Sequence, residues 1–361
     1  MENFLTDLKT KPIFWMVLFV PVLLVLEYTH FVSPSIMFLL SVLAIIPLAA
    51  FLSSATEGIA AKTGDTVGGL LNATFGNLTE LVIFIAALRK DLIELVKAAI
   101  VGGIVTNSLF MLGLSYLLGG FRYKVQTFNR PNAFIQSSLL FIVCIALMVP
   151  TILSKVSSKH DPNILGKISI GIAILLMVLY ILSLVFSLKT HANFFKSSEE
   201  NAGEESATWP VNISIIVLII SAISIALVSE IFVDSVQEVS IKMGLSQAFV
   251  GFIIVPIVGA AAEMMAAFRA AKMNKLDISV SIAMGSSVQI ALFVTPLLIM
   301  LSYFIASSPM NLDFKGGLIF MILFGTLTVS LTCNHGKSTW YLGVLLLSVY
   351  SIFGIALFFL P

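Results

Sequence analysis

Apolar residues occur along this 361-residue chain in long blocks, which short polar segments separate. A helix needs roughly 20 such residues to cross a bilayer core about 30 Å thick. Eleven blocks meet this requirement and predict membrane-spanning helices near residues 12–30, 34–61, 67–88, 92–118, 131–153, 163–188, 210–237, 245–271, 277–306, 314–333 and 338–360. The pattern therefore predicts an all-α polytopic membrane protein. The first block is too long for a cleaved signal peptide and lacks a small-residue cleavage site, so we expect it to remain in the mature protein.

The composition agrees with this class. Hydrophobic residues make up 58% of the chain and charged residues 11%, which excludes an ordinary soluble domain. The net charge of +1 indicates no nucleic-acid partner. Cys144 and Cys333 lie inside predicted spans and are interpreted as small buried residues. The four histidines lie in loops or at span ends without ligand spacing: His30, His160, His191 and His335.

The distribution of Lys and Arg predicts the orientation of the chain in the membrane. With a cytoplasmic N-terminus, the inner segments hold twelve of these residues and the outer segments hold eight. Cytoplasmic segments carry the excess of positive charge in membrane proteins. We therefore expect a multi-pass protein of the cell (inner) membrane with its N-terminus inside and its C-terminus outside. The lipid bilayer is then a partner, and the sequence leaves open whether the chain forms a homo-oligomer.

The two halves of the chain are related by an internal repeat. The segment that begins at Gly76 with "GNLTE" matches the segment that begins at Gly259 with "GAAAE", so that Glu80 is equivalent to Glu263. Five predicted spans separate the two glutamates, and an odd number means that the two copies run in opposite directions. Inverted repeats are typical of secondary transporters, whose ion sites form near the bilayer midplane.

The domain organisation follows from this repeat. We predict an extra N-terminal span in residues 1–33 and a first five-helix repeat in 34–195. An acidic cytoplasmic linker in 196–209 precedes a second, inverted five-helix repeat in 210–361. The linker contains Glu199, Glu200, Glu204 and Glu205 and is either a solvated connector or a segment that collects or senses cations.

Glu80 and Glu263 are charged groups in otherwise apolar spans, where a carboxylate costs on the order of 2.5 to 3.5 kcal/mol. A salt bridge is one explanation, but Arg89 and Lys272 lie nine residues further on, at span ends. A neutral glutamic acid that hydrogen-bonds a neighbouring helix is another. The third explanation is that both carboxylates bind one divalent cation. Carboxylate, carbonyl and amide oxygens suit Ca²⁺, which takes six to eight of them.

Other residues near the two glutamates are candidate ligands for the same cation. Gly76 and Gly259 precede the glutamates by one turn, where a glycine lets a helix open and expose backbone carbonyls. The polar candidates are Asn77, Asn107, Ser108, Ser286, Ser287 and Gln289, for which hydrogen bonding between helices is the alternative role. Burial and mutual repulsion favour the protonated carboxyls when no cation is bound, so protons can replace the metal.

Two further acids extend the predicted pathway. Glu57 lies near the inner end of the second span and Glu238 near the outer end of the seventh. Inversion would place one at each mouth, where they would draw in cations and relay protons. The alternative is that each simply wets a span end, and Glu230 and Asp234 are weaker candidates.

Around these residues the sequence resembles the calcium/proton exchanger (CAX) family of the calcium:cation antiporters, and it looks like a bacterial member. "GNLTE", with the following "GG" and "NS", is similar to the first repeat of that family, and "GAAAE", "NKLDIS" and "GSSVQIALFV" are similar to the second. The resemblance covers essentially the whole chain and implies that Glu80 and Glu263 carry Ca²⁺ and protons. Ala260 and Met264 stand where many relatives have Asn and His, so the two halves of the site are expected to differ chemically.

The prediction is therefore a calcium/proton antiporter that exports Ca²⁺ in exchange for H⁺. Ca²⁺ is its transported substrate, and no cofactor is expected. A sodium-coupled or broader divalent-cation exchanger of the same superfamily is the nearest alternative, and a passive cation channel is the alternative from another class. An enzyme is not expected, because no Ser/His pair, Asp pair or histidine ligand set lies inside the spans.

Overall fold

The computed structural model describes residues 2–29, 32–63, 65–156, 162–192, 209–315 and 317–359. Residues 196–208 of the predicted linker, with its four glutamates, lie outside the described residues, as do His30 and His160. In the described part of the chain the structure is almost entirely helical.

The helices of the first half are α1 (Glu2–Thr10), α2 (Pro12–Trp15), α3 (Phe19–Thr29), α4 (Pro34–Thr63), α5 (Asp65–Phe75), α6 (Leu78–Arg89), α7 (Ile93–Val105), α8 (Leu112–Arg122), α9 (Arg130–Val156) and α10 (Pro162–Val185). The helices of the second half are α11 (Val211–Met243), α12 (Gln247–Phe249), α13 (Val255–Gly259), α14 (Ala261–Lys272), α15 (Leu276–Gln289), α16 (Thr295–Ile305), α17 (Leu318–Cys333) and α18 (Trp340–Phe359). Two-residue strands β1 (Gln126–Thr127) and β2 (Lys337–Ser338) pair antiparallel.

Several α-helices continue through short segments of other helical types. A 3₁₀ turn covers Met16–Leu18, and π-helical segments cover Thr106–Met111, Phe186–Thr190, Val250–Ile254 and Ile290–Val294. Because of these connections, α7 and α8 form one continuous run, as do α15 and α16. π-helical turns are rare and concentrate at functional sites.

Nine helical runs in the described ranges are long and apolar enough to cross a membrane: Pro12–Thr29, Pro34–Thr63, Val67–Arg89, Ile93–Arg122, Arg130–Lys155, Ile164–Thr190, Val211–Met243, Leu276–Ile305 and Trp340–Phe359. The pair Gln247–Gly259 and Ala261–Lys272 qualifies jointly, with a bend of 64°. The apolar helix α17 is shorter, with 16 residues. Each predicted block overlaps one of these segments, which confirms the all-α polytopic class, while the count of eleven spans stays a prediction.

The two equivalent glutamate segments are broken at the same place. In the first half, α5 ends at Phe75 and α6 begins at Leu78, so that Glu80 lies in the first turn of the new helix. In the second half, α13 ends at Gly259, and Glu263 lies in the first turn of α14. The predicted opening of both helices next to the glutamates is therefore present.

The repeat also extends to the turns that follow α6 and α14. Asp91 has a φ of 55° and Asn274 a φ of 60°, and each lies eleven residues after its glutamate. Asp and Asn tolerate this left-handed conformation better than other residues with a side chain. The same backbone turn thus recurs in the two halves.

The chain forms two compact units, and each draws on both halves. The first contains Met1–Ala87, Glu199–Ser246 and Val258–Ala262; the second contains Leu88–Ser198, Gln247–Ile257 and Glu263–Pro361. This division follows contacts in space, so the four predicted sequence domains stay a prediction.

Within the first unit, α4 and α11 pack against each other in opposite directions. Gly58, near the end of α4, lies against Ser214, near the start of α11. Phe38, near the start of α4, stacks on Phe232, with ring centroids 5.9 Å apart. These contacts make the pair antiparallel, as inverted copies of one helix require.

The core of the second unit is α7, whose residues Leu95–Val105 are all buried. Gly102 lies directly against the backbone of Phe252, and Gly251 lies against the carbonyl of Leu95. Small residues let membrane helices approach closely, and dispersion contacts then stabilise the packing. The first and second halves therefore interlock through glycines on both sides of one contact.

Candidate functional site

Glu80 is a carboxylate buried at the beginning of a helix. Its residue is 2% exposed, and Oε1 has no hydrogen-bond partner among the described residues. The N-terminal turn of a helix carries partial positive charge and free N–H groups, which stabilise a carboxylate there. Since Oε1 has no partner in the described chain, neither a salt bridge nor a hydrogen bond to a neighbouring helix stabilises this oxygen. It remains available to a cation or a proton.

Gly259 of the second half lies against the Glu80 side chain, and both belong to the first unit. A Cβ atom at position 259 would come within 2.9 Å of Glu80 Cγ. The glycine thus has a second role besides the predicted opening of its helix, since it leaves room for the carboxylate. This contact brings the "GAAAE" segment of one half to the glutamate of the other.

Gly76 and Asn77 form the break before α6. The Gly76 N–H donates to the Asn72 carbonyl at 2.8 Å, and the Asn77 carbonyl accepts from the Leu81 N–H at 3.0 Å. Asn77 is 2% exposed. The residue therefore begins the helix that carries Glu80, and its buried position is consistent with the predicted role near the site.

Glu263 occupies the equivalent position in α14, in the second unit, and is half-buried. Its neighbours in sequence, Ala260 and Met264, are 1% and 4% exposed. The positions where many relatives carry Asn and His are thus buried and apolar here. The expected chemical difference between the two halves of the site stays a prediction.

Asn107 and Ser286 join the two halves inside the second unit. The Asn107 Nδ2 donates to Ser286 Oγ at 2.8 Å, and both residues are buried. Asn107 Oδ1 is buried without a hydrogen-bond partner in the described chain. An amide oxygen of this kind is a neutral ligand for a hard cation.

The remaining polar candidates differ in how they are engaged. The Ser108 hydroxyl donates to the Ile104 carbonyl at 2.6 Å. The Ser287 hydroxyl lies 3.1 Å from the same carbonyl and 2.9 Å from that of Ala283. These hydroxyl protons are used for helix packing, which leaves only their lone pairs for a ligand. Gln289 is half-buried at the end of α15.

Glu57 and Glu238 are exposed and lie at opposite ends of the antiparallel pair formed by α4 and α11. Ser53 Oγ donates to Glu57 Oε1 at 3.4 Å. On the same helix as Glu238, Glu230 is half-buried and Asp234 exposed. One acid at each mouth of a pathway requires two acids at opposite ends of the protein, and Glu57 and Glu238 meet this requirement within the helix pair. Their place in a pathway stays a prediction.

Lys97 corrects one sequence interpretation. It is one of the eight Lys and Arg residues that the orientation count assigns to outer connecting segments, but it lies in α7 and is only 5% exposed. Its Nζ donates to Asn311 Oδ1 and to the Asp313 carbonyl, both at 2.7 Å. The ammonium therefore holds the segment before α17. The predicted span 92–118 already included Lys97, so the sequence did indicate that this residue belongs to a membrane helix.

A metal site built only from charged or sulfur ligands is not present in the described ranges, where no three His, Cys, Asp or Glu side chains come together.

Comparison with known proteins finds relatives over nearly the whole chain. A family model described as "Sodium/calcium exchanger protein" matches residues 33–189 and again residues 213–359, once in each half. A Ca(2+)/H(+) antiporter of Aphanothece halophytica is 39% identical over 366 residues, 98% of each chain. The Ca(2+)/H(+) antiporter ChaA of Bacillus subtilis (strain 168) is 37% identical and covers 94% of this chain and 97% of its own. Among solved structures, native YfkE superposes with a TM-score of 0.82 at 34% identity, over 96% of this chain and all of its own.

Proposed function

Since the chain belongs to the sodium/calcium exchanger protein family, we propose that it is a calcium/proton antiporter that works by alternating access. The relatives named as Ca(2+)/H(+) antiporters match it over 98% and 97% of their own length. The observation that carries the proposal is the buried Glu80, whose Oε1 has no partner in the described chain.

Glu80 and Glu263 are the carboxylates that carry Ca²⁺ and protons in this proposal. Two carboxylates neutralise a divalent cation, and Asn107 Oδ1 and the carbonyls at the helix breaks supply neutral oxygens. When the cation leaves, burial and repulsion between the carboxylates favour their protonation. Protons and Ca²⁺ then compete for the same oxygens, and this competition couples their movements in opposite directions.

Alternating access is supported by the inverted relation of the two halves. The antiparallel α4 and α11 place Glu57 at one end and Glu238 at the other, so either acid would attract cations to its own side. We infer a cell-membrane protein with a cytoplasmic N-terminus, on the Lys and Arg distribution. Under the usual ion gradients, proton entry then drives Ca²⁺ export.

Sodium-coupled exchange is the second candidate, and the description of the matching family names it. Full-length protein in proteoliposomes separates the candidates when Ca²⁺ uptake is followed under an imposed pH gradient, with and without a sodium gradient. We expect uptake that depends on the pH gradient and is unchanged by sodium. Uptake driven by sodium alone would overturn proton coupling, and uptake that needs neither gradient would indicate a channel.

The site assignment is tested by replacing single carboxylates. We expect Glu80→Gln and Glu263→Gln each to lower pH-driven Ca²⁺ uptake at least a hundredfold, because one remaining carboxylate cannot neutralise the cation. Glu94→Gln is the matched control, since Glu94 also lies in the first turn of a helix but is partly exposed near Lys315. Near-normal transport by either site variant would refute the two-glutamate site.

A further inference from the structure

A row of polar side chains runs along the contact between α9 and α15, within the second unit. The polar row consists of Asn129, Asn132, Gln136, Asp277 and Ser281. At the end of the row beside the first turn of α15, Asp277 Oδ1 accepts from the Asn129 N–H at 2.9 Å. Further in, Asn132 Nδ2 donates to Ser281 Oγ at 3.1 Å, and Gln136 Nε2 donates to Asn132 Oδ1 at 2.6 Å.

Within the polar row Gln136 donates to Asn132 and Asn132 donates to Ser281, which leaves Gln136 Oε1 as an acceptor at the end of the row. Gln136 uses its amide N–H for Asn132, so its Oε1 points away from that bond. This oxygen is buried and has no hydrogen-bond partner in the described part of the chain. A buried polar atom without a partner costs roughly 1 to 3 kcal/mol, and more where no water can reach it. A water molecule or a cation bound to Gln136 Oε1 would remove this cost.

Gly285 leaves space beside Gln136 Oε1 for such a water molecule or cation. A Cβ at position 285 would lie 3.9 Å from Gln136 Oε1, and no other atom outside the adjoining residues and turns of its own helix would be within 4 Å. The next residue is Ser286, which accepts the hydrogen bond from Asn107. Asp277 and Gly285 are eight residues apart on one helix, which is about 12 Å of rise. The polar row therefore runs from the first turn of α15 to the residue that precedes Ser286 in the chain.

We propose that the polar row holds water beside Gln136 and is a proton pathway, separate from the route of Ca²⁺. The inference rests on the proposed antiport. Protons move along the waters as each O–H bond that breaks is replaced by a new one, and the amide and hydroxyl side chains only hold and orient these waters. The unpaired Oε1 of Gln136 stabilises the positive charge as the proton passes. Asp277 is the titratable side chain that the contacts place in the row.

Helix packing alone is the competing explanation, because amide and hydroxyl groups often join membrane helices. A purely structural network would satisfy its own acceptors, whereas this one ends on an open oxygen beside a glycine. The two roles differ in what they predict for Ca²⁺/Ca²⁺ exchange, which needs no proton. Disrupting a proton pathway lowers only the pH-driven reaction, whereas disrupting a purely structural network lowers both reactions or neither.

The experiment compares two reactions in proteoliposomes of the full-length protein. One is Ca²⁺ uptake driven by a pH gradient, and the other is exchange of ⁴⁵Ca²⁺ for unlabelled Ca²⁺ at equal pH on both sides. We expect Gln136→Leu to lower the first at least tenfold and to change the second less than twofold. Gly285→Ala fills the space beside Oε1 without another close contact and should show the same split more weakly.

Ser137→Ala is the control, since Ser137 is buried next to Gln136 but donates only to the Phe134 carbonyl of its own helix. It should leave both reactions unchanged. Equal losses of both reactions in Gln136→Leu and Gly285→Ala, or no loss in either variant, would overturn the proton pathway. A change in the Ca²⁺ dependence of ⁴⁵Ca²⁺ exchange would also overturn it, by indicating a cation site. Absence of pH-driven uptake by the wild type would instead refute the antiport itself.

Discussion

Gly259 precedes Glu263 by four residues in the second half, and it lies in direct contact with Glu80 of the first half. This contact explains why position 259 needs a glycine. The break after α13 brings backbone close to the Glu80 side chain, where a Cβ would be 2.9 Å from Cγ. A glycine does not stabilise a helix, so its presence there has a local steric reason. The Glu80 carboxylate can therefore keep its position only because residue 259 has no Cβ.

Gly259→Ala tests this dependence. The added methyl group pushes the Glu80 side chain away, so we expect the apparent affinity for Ca²⁺ to fall on the order of tenfold, which matches overpacking costs of about 1 to 3 kcal/mol. The measurement is pH-driven uptake as a function of Ca²⁺ concentration. Gly171→Ala is the control, because its Cβ would meet nothing within 4 Å. If both variants keep the wild-type affinity, Gly259 does not position Glu80.

Asp91 is the residue outside the spans whose hydrogen bonds predict a pH dependence. Its carboxylate accepts from the Ser307 hydroxyl and from the Ser307 N–H, the latter at 2.7 Å, and these bonds lower the pKa of Asp91. The stabilisation is complete above the ordinary aspartate pKa of about 3.9 and is lost as pH falls through the lowered native pKa.

Asp91→Asn keeps the left-handed turn, which Asn274 adopts in the other half, and removes the charge. We therefore expect the variant to have a lower Tm than the wild type at pH 7, and the difference to shrink towards pH 3. Thermal unfolding in detergent at several pH values measures this. A difference that stays constant over the range would exclude the carboxylate as its source.

At the level of helices, the two halves share their irregular features. The breaks before Glu80 and Glu263 are equivalent, and π-helical segments interrupt both Ile93–Arg122 and Leu276–Ile305. α7 and Val250–Ile254 approach so closely that Gly102 touches the backbone of Phe252. Backbone against backbone leaves no flexible side chain to move aside, and this contact should be rigid.

Gly102 and Gly103 form a matched pair for testing that contact. A Cβ at Gly102 meets the Phe252 backbone, whereas one at Gly103 meets the end of the Ile290 side chain at 3.0 Å. We expect Gly102→Ala to lower the free energy of unfolding by about 1 to 3 kcal/mol and Gly103→Ala by less than about 1 kcal/mol. Unfolding in detergent measures both. Equal losses would show that backbone contact is not the deciding factor.

At the scale of the whole protein, the antiparallel packing of α4 and α11 predicts which side of the membrane each end of the pair faces. Glu57 and Glu238 are exposed at opposite ends of this pair. The two acids should therefore be reached from opposite sides of the bilayer. With the predicted cytoplasmic N-terminus, Glu57 faces the inside and Glu238 the outside.

Single cysteines at these positions test the orientation. In a background where the buried Cys144 and Cys333 are replaced by Ala, we expect a membrane-impermeant maleimide to label Glu57→Cys only from the cytoplasmic side. Glu238→Cys should be labelled only from outside. Intact cells and inverted vesicles supply the two sides. Labelling of both positions from one side would refute the opposite placement, and the reversed pattern would refute only the predicted orientation.

The spans, the duplication and the glutamates at the helix breaks were predictable because they depend on local properties. The length of an apolar run sets whether a helix crosses the bilayer. An odd number of spans between two copies sets their opposite directions, whatever the packing. Even the opening of the helices at Gly76 and Gly259 follows from residue type, and the structure has both breaks.

The partners of individual side chains were decided only by the tertiary structure. Lys97 finds Asn311 more than two hundred residues away, Gly259 lies on Glu80, and Gln136 is left with an open oxygen next to Gly285. Transfer of an apolar run into a bilayer is a sum over its own residues, so the sequence alone determines it. A hydrogen bond or a close contact needs two groups from distant segments in one geometry, which exists only once the helices have packed.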